Sequence, residues 1–406
     1  MGVALDEVLA RHSAPHLLAR IEERLPLQVI EHRGMFNLGK GVQECTKTSL
    51  LTAVGKFGQR NLVELDAALT SDDLPIASHD FNLWRVTSQI DKLVREMHSQ
   101  DVLNAPVIIR EVLNAKISNC HSVTNDRVMS VEQLMDKAFS QNSSATIFLD
   151  CREFEAHIIV AWLSHRPRYY QKVILVFYTF RYHDGDHFVR MIEQANPAPG
   201  WRKVVAVMPM IFPNELARLA NELNLNQDRE EDLFIAGKIW LDSILAQSIR
   251  VVAVQILMAR ITYDQLGDTA DPQVVRAFMA DHAAVRLALY IKEDPAVRER
   301  HPHLKLATLT RCYDFSAELK NGERAEFGNS FLEGREERRE TDERRYIRDG
   351  YGKPGNAAAL ADWVTSDRSE DDMAVWEWRN IGIEREVDAR CPHLDVLERN
   401  SRTMGY

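Results

Sequence analysis

The sequence has 406 residues, of which 45% are hydrophobic and 27% are charged, a composition that indicates a globular protein and excludes a disordered or fibrous one. Fifty lysines and arginines stand against 60 aspartates and glutamates, and the formal charge of −10 disfavours binding to nucleic acid or to anionic lipid. No stretch approaches 18 uncharged apolar residues, so we predict that no segment spans a membrane.

The N-terminal residues 1–26 alternate acidic and basic side chains and lack the apolar core of a signal peptide, which predicts a helical extension outside the main domain. The five cysteines are scattered and form no C-x-x-C pair, as is typical of a reducing compartment. We therefore expect a cytoplasmic protein. The sequence leaves its oligomeric state open.

Short runs rich in β-branched and apolar residues alternate with amphipathic helical segments along nearly the whole chain. These candidate strands are residues 27–32, 61–66, 74–79, 146–150, 172–178, 203–210, 250–257, 304–310 and 361–367. Such alternation predicts an α/β fold with parallel strands, specifically a TIM (β/α)8-type barrel with insertions and an N-terminal helix. Nine candidate strands are one too many for that barrel, and periodicity does not identify the extra one.

The domain prediction places the barrel at residues 27–376 and a C-terminal tail at 377–406. Two polar or charge-rich stretches, at about 85–143 and 311–358, are predicted to be insertions in the barrel.

Acidic side chains stand near the ends of the second and fourth candidate strands, the positions where barrel enzymes place catalytic groups. Glu64 and Asp66 are two residues apart, so the period of a strand points both carboxylates to one face. Asp150 ends the fourth candidate strand. Three converging carboxylates would repel one another without a hard cation, and oxygen ligands favour Mg²⁺ or Ca²⁺.

Histidines end the first and third candidate strands, at His32 and His79. Imidazole titrates near neutral pH, so two histidines beside a cation suit general acid and base catalysis. Phosphorus chemistry fits this set best, because a metal and an arginine can neutralise a phosphoryl oxygen. Cys45 and Cys151 lie beside these residues, and we interpret both as small buried side chains and not as nucleophiles.

Six motifs occur in an order that resembles the glycerophosphodiester phosphodiesterase superfamily, which includes the sphingomyelinase D branch. They are HRG (32–34), EC-T (44–46), ELD (64–66), SHD with LWR-T (78–87), LDCR (149–152) and WVTSDRSEDDMAVW (363–376). The resemblance spans roughly residues 27–376.

The resemblance implies a role for each matching residue. The catalytic acid and base correspond to His32 and His79, and the metal ligands correspond to Glu64, Asp66 and Asp150, the last in place of the usual Glu. The basic residue that binds phosphate, usually Lys, corresponds to Arg152, and Arg33 is similarly placed beside the phosphate. In the E-N-T motif this chain has Cys45 in place of Asn.

The implied activity is that of a phosphoric diester hydrolase, a metal-dependent enzyme that cleaves a small glycerol- or sugar-phosphodiester. A neighbouring hydroxyl of the substrate would attack phosphorus, and water would open the cyclic phosphate. The alternative is a phosphodiester transferase or synthase that makes a sugar phosphodiester, because agrocinopine synthases resemble the same superfamily. A third hypothesis, from another class, is an inactive barrel that only binds its ligand.

Overall fold

The structure is a computed structural model that describes residues 28–36, 41–56, 62–88, 92–113, 116–151, 155–257, 272–309, 315–318, 324–327 and 361–366. The predicted N-terminal extension (1–26), the tail (377–406) and Arg152 lie outside the described residues. Of the predicted insertion at 311–358, only two short strands are described.

The described part of the chain contains fourteen strands. They are β1 (Gln28–Glu31), β2 (Leu62–Leu69), β3 (Pro75–Ala77), β4 (Pro106–Leu113), β5 (Lys116–Arg127), β6 (Thr146–Cys151), β7 (Val173–Tyr178), β8 (Ala206–Ile211), β9 (Arg250–Val251), β10 (Ala253–Ile256), β11 (Lys305–Leu309), β12 (Phe315–Glu318), β13 (Arg324–Phe327) and β14 (Trp363–Ser366).

Eight of these strands form a closed parallel barrel in the order β1, β2, β6, β7, β8, β10, β11 and β14. Each strand pairs with the next one in chain order, and β14 pairs with β1 to close the ring. Closure removes the unpaired edges that an open sheet would expose. The predicted TIM-type fold class is therefore confirmed.

Helices accompany the strands, and most of them cover the outside of the barrel. They are α1 (Lys47–Lys56), α2 (Ser99–Val102), α3 (Val131–Gln141), α4 (Ala156–Ser164), α5 (Gly185–Gln194), α6 (Trp201–Val204), α7 (Pro213–Glu222), α8 (Glu230–Leu245), α9 (Pro272–Glu293) and α10 (Pro295–Arg300). Within the described ranges, three single turns of 3₁₀ helix occur, at Val94–Glu96, Pro167–Tyr169 and Thr179–Arg181. Among the described residues, no helix combines the length and the apolarity that crossing a membrane requires.

Helix α3 shows how the sequence fixes one of these elements. Its N-cap Ser130 accepts a hydrogen bond from the backbone of Gln133, and the Gln133 side chain accepts one from the backbone of Ser130. The apolar residues of α3 recur at helical spacing, and Leu134 and Ala138 are buried in the core between helices and strands.

Side chains inside the barrel follow the two-residue period of its strands. Ile30 and Phe148 belong to an apolar cluster in the interior, toward the start of the strands. Two residues further along the chain from each lie His32, directly after β1, and Asp150 of β6, which are also buried. The barrel interior is therefore apolar toward the N-terminal ends of its strands and polar at the C-terminal mouth, where the candidate site lies.

The extra candidate strand is the one at 74–79. In the structure it forms β3, which pairs antiparallel with the end of β2 and lies outside the barrel, with Ala77 opposite Ala67. Only residues 70–74 connect the two strands, whereas a parallel crossover needs about a dozen or more residues. The expectation that His79 follows a barrel strand was wrong, because this strand is the return of a hairpin.

The predicted insertion at 85–143 contains an irregular segment, the long antiparallel hairpin β4–β5 and helix α3. Beneath this hairpin lies a second, small apolar cluster that includes Leu83, Val94 and Val107. This cluster also contains Ile76 of β3, so the hairpin that leads to His79 packs against the insertion.

Candidate active site

Three buried carboxylates converge at the C-terminal mouth of the barrel. Asp66 of β2 and Asp150 of β6 occupy paired register positions on adjacent strands, and Glu64 lies two residues before Asp66 on the same face. One ligand oxygen from each residue lies within 4.8 Å of the others. We call Glu64, Asp66 and Asp150 the carboxylate triad.

The carboxylate triad has the donor set of a hard cation. Burial raises the pKa of Glu64, and the neighbouring Asp66 raises it further, while His32 and Arg33 act in the opposite direction. Among the described residues, no hydrogen-bond donor reaches the buried atoms Glu64 Oε2 and Asp66 Oδ1. These residues therefore fit a divalent ion that prefers oxygen ligands, such as Mg²⁺ or Ca²⁺.

The turn after β1 brings a histidine and an arginine to the triad. His32 Nε2 lies 3.8 Å from Glu64 Oε2, and Arg33 Nε lies 3.6 Å from Asp66 Oδ2. Arg33 and Gly34 have φ values of 56° and 74°, and a Cβ on Gly34 would lie 2.9 Å from the carbonyl carbon of Ser49. Glycine is therefore required at position 34 for this turn to pack against the following helix.

The second histidine reaches the mouth by a different route. Strand β3 returns alongside the end of β2, and the backbone N–H of Ser78 donates to the carbonyl oxygen of Asp66 at 3.3 Å. His79 follows, with its Nδ1 2.8 Å from Asp80 Oδ1. An ionised carboxylate can only accept, so Nδ1 carries the proton in this contact.

A buried chain of ion pairs supports His79. Arg85 donates from Nε to Asp80 Oδ2 at 2.5 Å and also from Nη2 to Glu44 Oε1, while Arg33 Nη1 lies 3.5 Å from Glu44 Oε2. Burial alone would raise the pKa of Glu44, but Arg85 and then Arg33 lower it. Although burial opposes it, the charges of Asp80 and Glu44 raise the pKa of Arg85 above its ordinary value. We call Arg33, Glu44, Arg85 and Asp80 the ion-pair chain.

Sequence reasoning did not assign roles to Glu44 and Arg85. The signal available was that both are charged residues inside the motifs EC-T and LWR-T. Their contact joins positions 41 residues apart, a separation that neither the helical period nor the strand period can predict.

Cys45 is buried, as expected, and its Sγ donates to Asp66 Oδ2 at 3.1 Å. Burial and then the charges of Asp66 and Glu44 raise the pKa of the Cys45 thiol well above its ordinary value. The thiol therefore stays protonated at neutral pH and is a poor nucleophile. Cys151 is also buried, and its Sγ lies 3.9 Å from the carbonyl oxygen of Leu149.

An aromatic pair lies on the other side of Asp150. Tyr178, at the end of β7, donates from its hydroxyl to Asp150 Oδ2 at 3.1 Å. Its ring stacks on Phe212, which follows β8, with 5.4 Å between ring centroids and 8° between ring planes. Both rings are partly buried against the apolar cluster inside the barrel. At the mouth, the carboxylate triad therefore lies next to the flat aromatic surface of Tyr178 and Phe212.

The structure brings together six of the seven predicted site residues, namely His32, Arg33, Glu64, Asp66, His79 and Asp150. Arg33 is only 2% exposed, and its guanidinium faces Glu44 and Asp66. The seventh residue, Arg152, lies outside the described residues.

Residues 32–184 match the model of the glycerophosphoryl diester phosphodiesterase family, which confirms the resemblance predicted from the motifs over that segment. Comparison with curated proteins gives no match.

Several solved structures are similar to this chain. A glycerophosphoryl diester phosphodiesterase from Parabacteroides distasonis is 14% identical, with a TM-score of 0.45 and 91% of each chain covered. A phosphodiesterase from Oleispira antarctica, in complex with the product sn-glycerol-3-phosphate, is 14% identical, with a TM-score of 0.36 and with 71% of this chain and 85% of that chain covered. A glycerophosphodiester phosphodiesterase from Agrobacterium tumefaciens is 11% identical, with a TM-score of 0.35 and coverages of 70% and 86%.

We predict that Arg85→Ala lowers the free energy of unfolding by about 3–5 kcal/mol, because it leaves the carboxylates of Glu44 and Asp80 buried without their shared cation. Urea denaturation measures this loss. The matched control is Arg190→Ala, which removes an exposed i,i+4 ion pair with Asp186 and should cost less than about 1 kcal/mol. Similar losses in the two variants would contradict the prediction.

Proposed function

We propose that this chain, which carries the glycerophosphoryl diester phosphodiesterase match over residues 32–184, is a metal-dependent phosphodiesterase acting on a small glycerol- or sugar-phosphodiester. The observation that carries the proposal is the carboxylate triad, three buried acids held within 4.8 Å at the barrel mouth. Like charges at this separation are unfavourable unless a cation joins them, so the fold is suited to holding one.

The proposed metal is Mg²⁺ or Ca²⁺, held by Glu64, Asp66 and Asp150. When bound, such an ion supplies charge neutralisation at the phosphoryl oxygen. In the proposal, Arg33 and Arg152 bind the phosphate as well. Arg33 also neutralises Glu44 and Asp66, so its guanidinium limits the excess negative charge beside an anionic substrate.

Two histidines carry the proton transfers in the proposed mechanism. His32 takes the proton from the hydroxyl of the substrate that attacks phosphorus, and His79 gives a proton to the departing alcohol oxygen. Because His79 Nδ1 is engaged with Asp80, the proton passes from Nε2. The ion-pair chain supports this role, since Arg85 fixes the carboxylate that orients the imidazole.

The aromatic pair supports a second candidate function, transfer of the glycerol- or sugar-substituted phosphoryl group to the hydroxyl of a second sugar, with the original alcohol as the leaving group. The faces of sugar rings carry C–H groups that pack on flat aromatic surfaces, and Tyr178 and Phe212 offer such a surface beside Asp150. Hydrolase and transferase differ only in whether water or a sugar hydroxyl completes the reaction. Analysis of products with and without added sugars distinguishes them, since only a transferase gives a new phosphodiester.

We predict that glycerophosphodiester hydrolysis by the full chain requires Mg²⁺ or Ca²⁺ and stops on chelation. Glu64→Gln should lower kcat/KM at least about 100-fold, because even the outer partners of metal ligands contribute 10–100-fold. The metal-free Glu64→Gln protein should unfold at a higher temperature than the metal-free wild type, since one repelling acid is gone. Glu132→Gln, on a partly exposed ion pair with Arg166, is the control and should retain activity.

Chelation that leaves activity intact would contradict the metal dependence. Tight binding of a phosphodiester without turnover at any metal concentration would instead support the inactive binding barrel.

We predict that His32→Ala and His79→Ala each lower kcat by about 10²–10⁴-fold with little change in stability. On a substrate whose leaving group is nitrophenolate, which needs no proton, His79→Ala should lose much less, whereas His32→Ala should stay impaired. Steady-state rates on both substrates test this division of roles. Equal losses for both variants on both substrates would exclude it.

A further inference from the structure

Two side chains contact one oxygen of Asp66, one through a hydrogen bond and the other through an ion pair. The thiol of Cys45 donates to Oδ2 at 3.1 Å, and Arg33 Nε lies 3.6 Å from the same oxygen. The other oxygen, Oδ1, is buried, and no described residue donates a hydrogen bond to it. The carboxylate plane of Asp66 is thus fixed by contacts to one oxygen.

Asp150 is held in a similar way. Its Oδ2 accepts from the Tyr178 hydroxyl at 3.1 Å, and the Tyr178 ring is itself fixed by stacking on Phe212. Two of the three acids in the carboxylate triad therefore receive a hydrogen bond from an uncharged side chain.

The second acidic cluster of the mouth provides a contrast. Ligand atoms of Glu44, His79 and Asp80 also lie within 4.8 Å of one another. The guanidinium of Arg85 already contacts both acids there, so a cation is built into that cluster. In the carboxylate triad, Arg33 lies 3.6 Å from Asp66, whereas Cys45 and Tyr178 supply hydrogen bonds that add no further positive charge, so these two contacts do not weaken the attraction of the triad for a metal ion.

We infer that Cys45 and Tyr178 are positioning residues for the metal, and that each orients one aspartate of the carboxylate triad to receive the ion. This inference rests on the proposed metal dependence. A carboxylate that is already oriented loses less rotational freedom when it binds a cation, and outer hydrogen-bond partners of this kind typically change metal affinity 10–100-fold.

The backbone at Cys45 suggests which substitutions preserve the donor. Its φ is 53°, in the left-handed region, where asparagine is among the best tolerated residues. Cys45→Asn keeps a donor and suits this conformation, and Cys45→Ser keeps a donor of smaller size. Cys45→Ala removes the donor.

The experiment is a calorimetric titration of the full-length protein with Mg²⁺ and with Ca²⁺. We expect Cys45→Ala and Tyr178→Phe each to raise the metal Kd by about 10-fold or more. Cys45→Asn and Cys45→Ser should stay within about threefold of wild type, a rescue that requires a donor at position 45.

Two controls separate positioning from packing. Cys151→Ala removes a thiol that is also buried and whose Sγ lies 3.9 Å from the carbonyl oxygen of Leu149, and Tyr169→Phe removes a hydroxyl bonded to Asp136, away from the mouth. Neither should change the metal Kd. Thermal unfolding of each metal-free variant reports any loss of stability independently.

Unchanged metal affinity in Cys45→Ala and Tyr178→Phe, with normal binding by the wild type, would overturn this inference alone. Failure of both Cys45→Asn and Cys45→Ser to restore metal affinity would overturn the inference for Cys45. The shape of the side chain at position 45, and not its hydrogen-bond donor, would then determine the metal Kd. A wild-type protein that binds neither ion would overturn the proposed metal dependence together with this inference.

Discussion

Repulsion between carboxylates that cannot move apart is the constraint on which this candidate site depends. Asp66 and Asp150 are paired in register on adjacent strands, and Glu64 shares their face. Because the barrel is closed, one strand cannot slide relative to the next without breaking hydrogen bonds around the ring. The negative charge must instead be balanced locally by a proton or a cation, and the pKa of Glu64 is raised first by burial and further by the charge of Asp66.

The early strands and the later strands of the barrel contribute different kinds of side chain to its mouth. The predicted acid, base and metal ligands all lie between His32 and Asp150, inside the segment that matches the family model. The later strands contribute aromatic and neutral polar groups, including the stacked rings of Tyr178 and Phe212 and a hydrogen bond of 3.2 Å from Gln255 to Thr365. In the proposed mechanism, the proton-transferring and metal-binding residues therefore come from one half of the ring, and the described residues of the other half would shape the space for the substrate.

The sequence was sufficient to predict the barrel and the carboxylate face, since both follow from the two-residue period of strands. It could also have excluded residues 74–79 from the barrel, because the seven residues after position 66 are too few for a helical crossover. The contacts of Arg85 with Glu44 and of Cys45 with Asp66 could not be predicted in this way. They join residues 41 and 21 positions apart through loops, whose paths depend on packing and not on a repeating pattern.

His79 follows the return strand of a hairpin and not a barrel strand, so its position is set separately from the positions of the carboxylate triad. Residues on barrel strands can shift only if the ring of hydrogen bonds shifts with them. His79 instead follows a three-residue strand whose Ile76 packs into the small core beneath the β4–β5 hairpin. Under the proposed mechanism, substitutions in that small core would therefore change the distance between this imidazole and phosphorus while Glu64, Asp66 and Asp150 stay in place. Directed evolution toward bulkier leaving groups would do best to begin there, several residues away from any group that reacts.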